Sequence, residues 1–271
     1  LSIQASKTDA NVIVFCGVLF MAETAAILSP DKIVLLPDKH AGCPMADMIT
    51  GAELRKLKQK HPDALVVCYV NSSAEVKAES DYCCTSANAV EVVNSLPKDK
   101  KIIFVPDKNL GQYTAQKSGR DLILWPGYCP SHVVITEKDI IKAKEEHPDA
   151  LVMAHPECPQ PVKAISDEIL STGQMLKFAK KSDIRKFIIA TETGIIHTLK
   201  KENPDAEFYP ASQKAFCPNM KKITIEKILW VLEDLDSSPN GQSQYRITIP
   251  EDIRIKAKKS LDRMVEILPK N

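Results

Sequence analysis

Apolar residues in this chain come in short unbroken runs, separated by polar, helix-forming stretches. Residues 11–18 (NVIVFCGV) and 32–36 (KIVLL) are continuous and β-branched, as strands buried on both faces of a parallel sheet require. Between them, residues 21–28 predict a helix ended by Pro30. The alternation continues, with strands predicted over 64–70, 101–105, 121–125, 150–154, 168–170, 186–190 and 207–209. Helices are predicted over 51–60, from Asn71-Ser72-Ser73 to Glu79, after Thr85-Ser86-Ala87-Asn88, over 110–117, after Ser171-Thr172-Gly173, and over 194–201. Thr50 and Glu53 are spaced to form a capping box on the first of these. Residues 219–235 and 250–267 predict closing helices, with a polar loop over 236–244 and a short strand over 245–249 between them. Strands alternating with helices at this spacing indicate an α/β protein with parallel sheets.

The pattern repeats. Cys-Pro stands at Cys43-Pro44, Cys129-Pro130 and Cys217-Pro218, steps of 86 and 88 residues, and the run from His61 to Val66 (HPDALV) returns 86 residues on from His147 to Val152. A period of this length is too long for a solenoid and suits a small domain. The expected architecture is three similar αβα units over 1–45, 46–131 and 132–217, followed by closing helices over 218–271. Counting back 86 residues from Tyr69, Asn71 and Ser86 runs to or past the first residue. The first unit is therefore expected to be incomplete, its opening strand and its Ser/Thr-bearing helix start lying upstream of Leu1.

Composition narrows the functional classes. A net charge of +1 in 271 residues offers no electrostatic footprint for nucleic acid or an acidic membrane. The longest apolar run, 12–22, is about half a bilayer span and is closed by Glu23. No leader pattern opens the chain, so a cytoplasmic protein is expected. Eight cysteines in a chain of this size do not make a disulfide scaffold. Three hold repeat-equivalent places, whereas Cys16, Cys68, Cys83, Cys84 and Cys158 do not and are expected to be packed in the core.

In open parallel sheets ligands bind beyond the carboxyl ends of the strands. Overlaying the repeats puts Tyr69 and Asn71 in the places of His155 and Glu157, each pair two residues apart at a strand end. Ser86 takes the place of Thr172, both at expected helix starts suited to carboxylate or phosphate. With the three Cys-Pro loops on the same side, a central cavity would carry three thiols. Three thiolates without a fourth partner suggest a metal centre with an open coordination position, and sulfur ligands suit zinc or an iron–sulfur cluster. His132 is expected to pack behind the Cys129 loop.

The segments GCPMAD, YVNSSAEVKAESDYCCTSANAVEVV, PDKNLGQY, HPECPQPV, STGQM, TETGIIH and CPNMKK together resemble the quinolinate synthase family over essentially the whole chain. The resemblance implies three αβα sandwich domains about a pseudo-threefold axis. It also implies a [4Fe–4S] cluster held by Cys43, Cys129 and Cys217, with the fourth iron free of protein ligands. The family's substrate contacts carry onto Tyr69, Val70, Asn71, Ser86, His155, Pro156, Glu157 and Thr172, with Ser171 adjoining. The implied reaction condenses iminoaspartate with dihydroxyacetone phosphate, losing phosphate and two waters, with the open iron as Lewis acid. A transient contact with the enzyme that makes iminoaspartate is expected. Glu157 is the expected general base, with His155 and Tyr69 as donors or proton relays. The family's N-terminal His/Tyr motif, and the Gly-Asp-Ser before a leucine matching Leu1, are not in this sequence. The alternatives are a three-cysteine zinc hydrolase and a non-catalytic anion-binding or redox-sensing iron–sulfur protein.

Overall fold

In the computed structural model, which describes residues 2–238 and 242–267, the strands form three all-parallel sheets. The first sheet pairs β1 (Val12–Val14) with β2 (Ile33–Leu35). The second takes β3 (Leu65–Tyr69), β4 (Tyr82–Cys84), β5 (Ile102–Val105) and β6 (Leu122–Leu124) in the order β4-β3-β5-β6. The third takes β7 (Leu151–Ala154), β8 (Glu168–Ile169), β9 (Lys186–Ala190) and β10 (Glu207–Pro210) in the order β8-β7-β9-β10. That is the same topology shifted by one repeat. The α/β class with repeated parallel sheets is thus present as the pattern predicts.

The unbroken apolar runs follow from burial of both sheet faces. Along β3, Val66 and Cys68 enter one core cluster while Val67 and Tyr69 enter another. Along β9, Ile188 and Ala190 face one cluster while Phe187 and Ile189 face the other. Side chains alternate across a strand, so two covered faces leave no position for a polar residue. The helix Glu251–Ile267 closes the second sheet by burying Ala257, Leu261 and Met264 against Val66, Cys68 and Ile103. Among the described residues no helix is long and apolar enough to cross a membrane.

Local rules hold where the signal is local. Thr50 accepts from the Glu53 N–H at 3.2 Å while the Glu53 carboxylate accepts from the Thr50 N–H at 2.8 Å, closing the predicted box on Gly51–Lys60. The repeat has a second box 86 residues on, Thr136 with Asp139 on Glu137–Glu146, which the sequence reading did not identify.

Three expectations are corrected, and one strand is added. The strand over 245–249 is reduced to a single antiparallel bridge of Arg246 to Leu35, because Pro250 lies beyond it and Glu251 already begins a helix. The closing helix over 219–235 is a 3-10 turn, Pro218–Lys221, and a separate helix, Ile225–Ser237, capped by Thr224. β4 was not foreseen, since its three residues are too few to show a period. Ser86 does not start a helix: Ala89–Ser95 begins only after Asn88, whose side chain turns back to accept from the Thr85 N–H at 2.6 Å. The polar loop expected over 236–244 falls in part on residues 239–241, outside the described residues.

Candidate active site

β3 ends at Tyr69 and β7 at Ala154, so Tyr69 and the segment His155–Cys158 emerge at the carboxyl edges of neighbouring sheets. A cavity of about 910 Å³ opens there, and each unit contributes its cysteine: Cys43, Cys129 and Cys217 all line it. Tyr69, Val70, Asn71, Ser86, His155, Glu157 and Thr172 line it as well. Pro156 and Ser171 are not in the lining. The Pro156 carbonyl accepts from Lys163 Nζ at 3.1 Å. Ser171 caps the helix Thr172–Lys181, accepting from the Gln174 N–H and donating its own N–H to Gln174 Oε1 at 2.8 Å. That cap leaves Thr172, the first helical residue, at the cavity.

Glu157 is the centre of the polar network. It is 3% exposed, Tyr69 donates its hydroxyl to Oε1 at 2.6 Å, and His132 Nδ1 lies 3.0 Å from Oε2. Burial, the largest influence, opposes ionisation, but the facing His132 and His155 outweigh it and hold the carboxyl well below the usual carboxylate range. Burial, followed by the Glu157 charge, pushes the Tyr69 phenol well up, which keeps it a donor. The Ser86 hydroxyl lies close enough to Tyr69 to oppose part of that rise.

His155 is buried, and burial pushes it down to about 4 against the pull of Glu157, so it is a neutral imidazole at neutral pH. Its Nδ1 accepts the Glu157 N–H at 3.3 Å. The proton is then on Nε2, available as a donor.

His132 does not merely pack behind its loop. Its Nδ1 is 3.0 Å from Cys129 Sγ as well as from Glu157, its Nε2 is 2.8 Å from Thr191 Oγ1, and its ring stacks on His155 at 4.8 Å. Overlaying repeats could not find it, because Ala46 and Met220 stand three residues after the other two cysteines. The only available signal was its spacing from Cys129. Thr191, Glu192 and Lys221 also line the cavity and were not anticipated.

Of the five cysteines outside the repeat, Cys68, Cys83, Cys84 and Cys158 are fully buried, as expected. Cys16 departs from that expectation: it is exposed and lines the cavity.

The donor set distinguishes among metal centres. A single zinc holds its sulfurs about 2.3 Å away, hence within roughly 4 Å of one another. Among the described residues, the ligand atoms that close to within 4.8 Å are those of Cys129, His132 and Glu157, not those of the three cysteines. Three thiols spread around one cavity fit a larger group with several metal ions better than one ion. Burial pushes Cys43 up to about 11 and pushes Cys129 further up, with the Glu157 charge adding to both. Thiolates at these positions would need a neighbouring cation to form at neutral pH.

Comparison with known proteins agrees with this geometry. The family model described as Quinolinate synthetase A protein matches residues 1–266. A quinolinate synthase of Dehalococcoides mccartyi (strain CBDB1) is 53% identical over 268 residues, covering 99% of this chain and 86% of that protein. One from Geotalea uraniireducens is 54% identical, covering 98% and 85%, and quinolinate synthase 1 of Methanosarcina acetivorans is 52% identical with the same coverages.

Proposed function

This chain belongs to the quinolinate synthetase A family, and on that premise we propose that it is a quinolinate synthase that condenses iminoaspartate with dihydroxyacetone phosphate. The observation that carries the reading is the convergence of Cys43, Cys129 and Cys217, one from each repeat, on a single cavity beside Glu157. We assign those three residues to a [4Fe–4S] cluster, whose open iron would supply Lewis-acid polarisation of a substrate hydroxyl or carboxylate.

The remaining steps belong to this chain's side chains. Glu157, kept ionised chiefly by the facing His132 and by the Tyr69 hydrogen bond, is the base that takes a proton from substrate carbon or nitrogen. Tyr69, held as a neutral phenol, donates to Glu157 and orients the carboxylate for that transfer. His155, neutral with its proton on Nε2, orients a substrate oxygen by donating to it. Asn71, Ser86 and Thr172 supply amide and hydroxyl groups for carboxylate or phosphate oxygens, Thr172 from a helix N-terminus. Because iminoaspartate is an imine that hydrolyses in water, we also propose transient contact with the enzyme that makes it.

The test is anaerobic purification and reconstitution with iron and sulfide, followed by iron counting, an absorption spectrum and a quinolinate assay. Serine at Cys43, Cys129 or Cys217 should abolish the brown chromophore, while Cys158→Ser and Cys84→Ser should leave most of it. Loss of the chromophore in Cys158→Ser alone would overturn the assignment. A second reading, one metal ion held by Cys129, His132 and Glu157, is favoured by their mutual approach within 4.8 Å. It requires one metal per chain and no visible chromophore.

A further inference from the structure

Two acidic side chains beside the cavity make the same unusual contact. Asp107 Oδ2 accepts the peptide N–H of Cys129 at 3.2 Å, and Glu192 Oε1 accepts the peptide N–H of Cys217 at 3.2 Å. Both are buried, Asp107 completely. Each also binds its own turn through the other oxygen: Asp107 Oδ1 takes the Leu110 N–H at 2.6 Å and Glu192 Oε2 the Gly194 N–H at 2.8 Å.

The two positions are equivalent in register. β5 meets β3 at Ile102–Leu65 and β9 meets β7 at Phe187–Leu151, and five residues on from Ile102 and Phe187 are Asp107 and Glu192. In the first unit β1 meets β2 at Val12–Ile33 as β5 meets β6 at Ile102–Leu122. Five residues on from Val12 is Gly17, which has no side chain.

We propose that Asp107 and Glu192 are positioning residues that aim the sulfurs of Cys129 and Cys217, each by holding its cysteine's peptide N–H, and that the first unit holds Cys43 without such a brace. The inference rests on the cluster reading given above. Each cysteine is followed by proline, which confines the cysteine backbone to the extended region from its carboxyl side. Cys129 and Cys217 have ψ of 116° and 104°, in keeping with that restriction. The carboxylate fixes the peptide on the amino side, so the Cα–Cβ direction is set from both ends.

Glycines make room for both braces. A Cβ on Gly127 would come within 2.5 Å of the Pro106 carbonyl oxygen, in the bridge that draws the Cys129 loop onto Asp107. A Cβ on Gly194 would meet Glu192 Oε2 at 2.7 Å and Lys221 Nζ at 2.5 Å. Lys221 Nζ is itself 3.4 Å from Glu192 Oε1, the oxygen that accepts the Cys217 N–H. Asp38, the acid that follows β2, contributes no such brace: it accepts from the His40 N–H and pairs with Lys227 at 2.6 Å.

The test uses Asp107→Asn and Glu192→Gln in the full chain, with Asp38→Asn as control. Asparagine still caps Lys108–Ser118 through its oxygen but turns an amide N–H toward the Cys129 N–H; glutamine does the equivalent at Cys217. After anaerobic reconstitution, each variant should lose iron to a ferrous chelator about ten- to a hundredfold faster than wild type, the range typical of groups that orient metal ligands. The electron paramagnetic resonance spectrum of the reduced cluster should change in each, with the unfolding midpoint of the metal-free protein unmoved. Asp38→Asn should match wild type in release rate and spectrum. Amide hydrogen exchange at Cys129 and Cys217 in the metal-free chain should be slow in wild type and faster in the corresponding variant. Wild-type release rates, spectra and exchange in both variants would overturn the proposal. A wild type that takes up no iron would overturn the cluster reading, and amide exchange would then decide the brace by itself.

Discussion

Tyr69 and Glu157 are 88 residues apart in the chain and 2.6 Å apart in the fold, hydroxyl to carboxylate. Tyr69 closes a strand of the second sheet and Glu157 follows a strand of the third, so this bond spans the two repeats at the cavity wall. A hydrogen bond to a buried charge is worth about 1.5–3 kcal/mol. Tyr69→Phe should therefore lower kcat by about ten- to a hundredfold while leaving the iron content intact. Unchanged kcat in a fully loaded Tyr69→Phe protein would remove the phenol from the proton path.

Glu157→Gln preserves shape and removes basicity. Cluster content and product affinity should stay near wild type, with kcat falling by about 10²–10⁴, the range for a positioned base. If Glu157 only orients Tyr69, glutamine should be tolerated, and a near-normal kcat would establish that.

His132 is a main reason that Glu157 ionises so readily despite its burial. Removing an opposing charge raises a carboxyl pKa, so His132→Ala should move the acidic limb of the kcat–pH profile to higher pH. An unmoved limb would mean that His132 acts on Cys129 alone.

Lys163 donates to the Asn109 carbonyl at 2.7 Å and to that of Pro156, tying the Glu157 segment to the second unit. Burial pushes its ammonium down to about 8 from an ordinary 10.5, against the attraction of Asp107. Below pH 8 both folded and unfolded chains carry the proton, and stability is flat in this group. Between 8 and 10.5 the unfolded chain binds more protons, so this group makes stability rise with pH. Urea unfolding of wild type and Lys163→Met should therefore diverge in favour of wild type as pH rises from about 7.5 to about 9.5. A constant difference would show that the ammonium is not desolvated.

What the sequence determined by itself was everything that depends on neighbours in the chain or on the period. Unbroken apolar runs specify doubly covered parallel strands because side chains alternate across each strand, and Thr50 with Glu53 specifies a helix start within four residues. The 86-residue period by itself matches Cys43, Cys129 and Cys217, and Tyr69 with His155. Tertiary structure alone decided what the repeat does not copy. His132 reaches Glu157 and Thr191 only because two sheets meet at their carboxyl edges, and neither Ala46 nor Met220 could have signalled it. Ser86 leaves its expected helix start because the Asn88 side chain takes the Thr85 N–H and begins the helix later. Asp107 and Glu192 find the cysteine N–H groups 22 and 25 residues further on through loop closure, which no hydrophobic period encodes. Hydrogen bonds across such separations are set by how packed sheets orient their loops, and that orientation is a property of the whole fold.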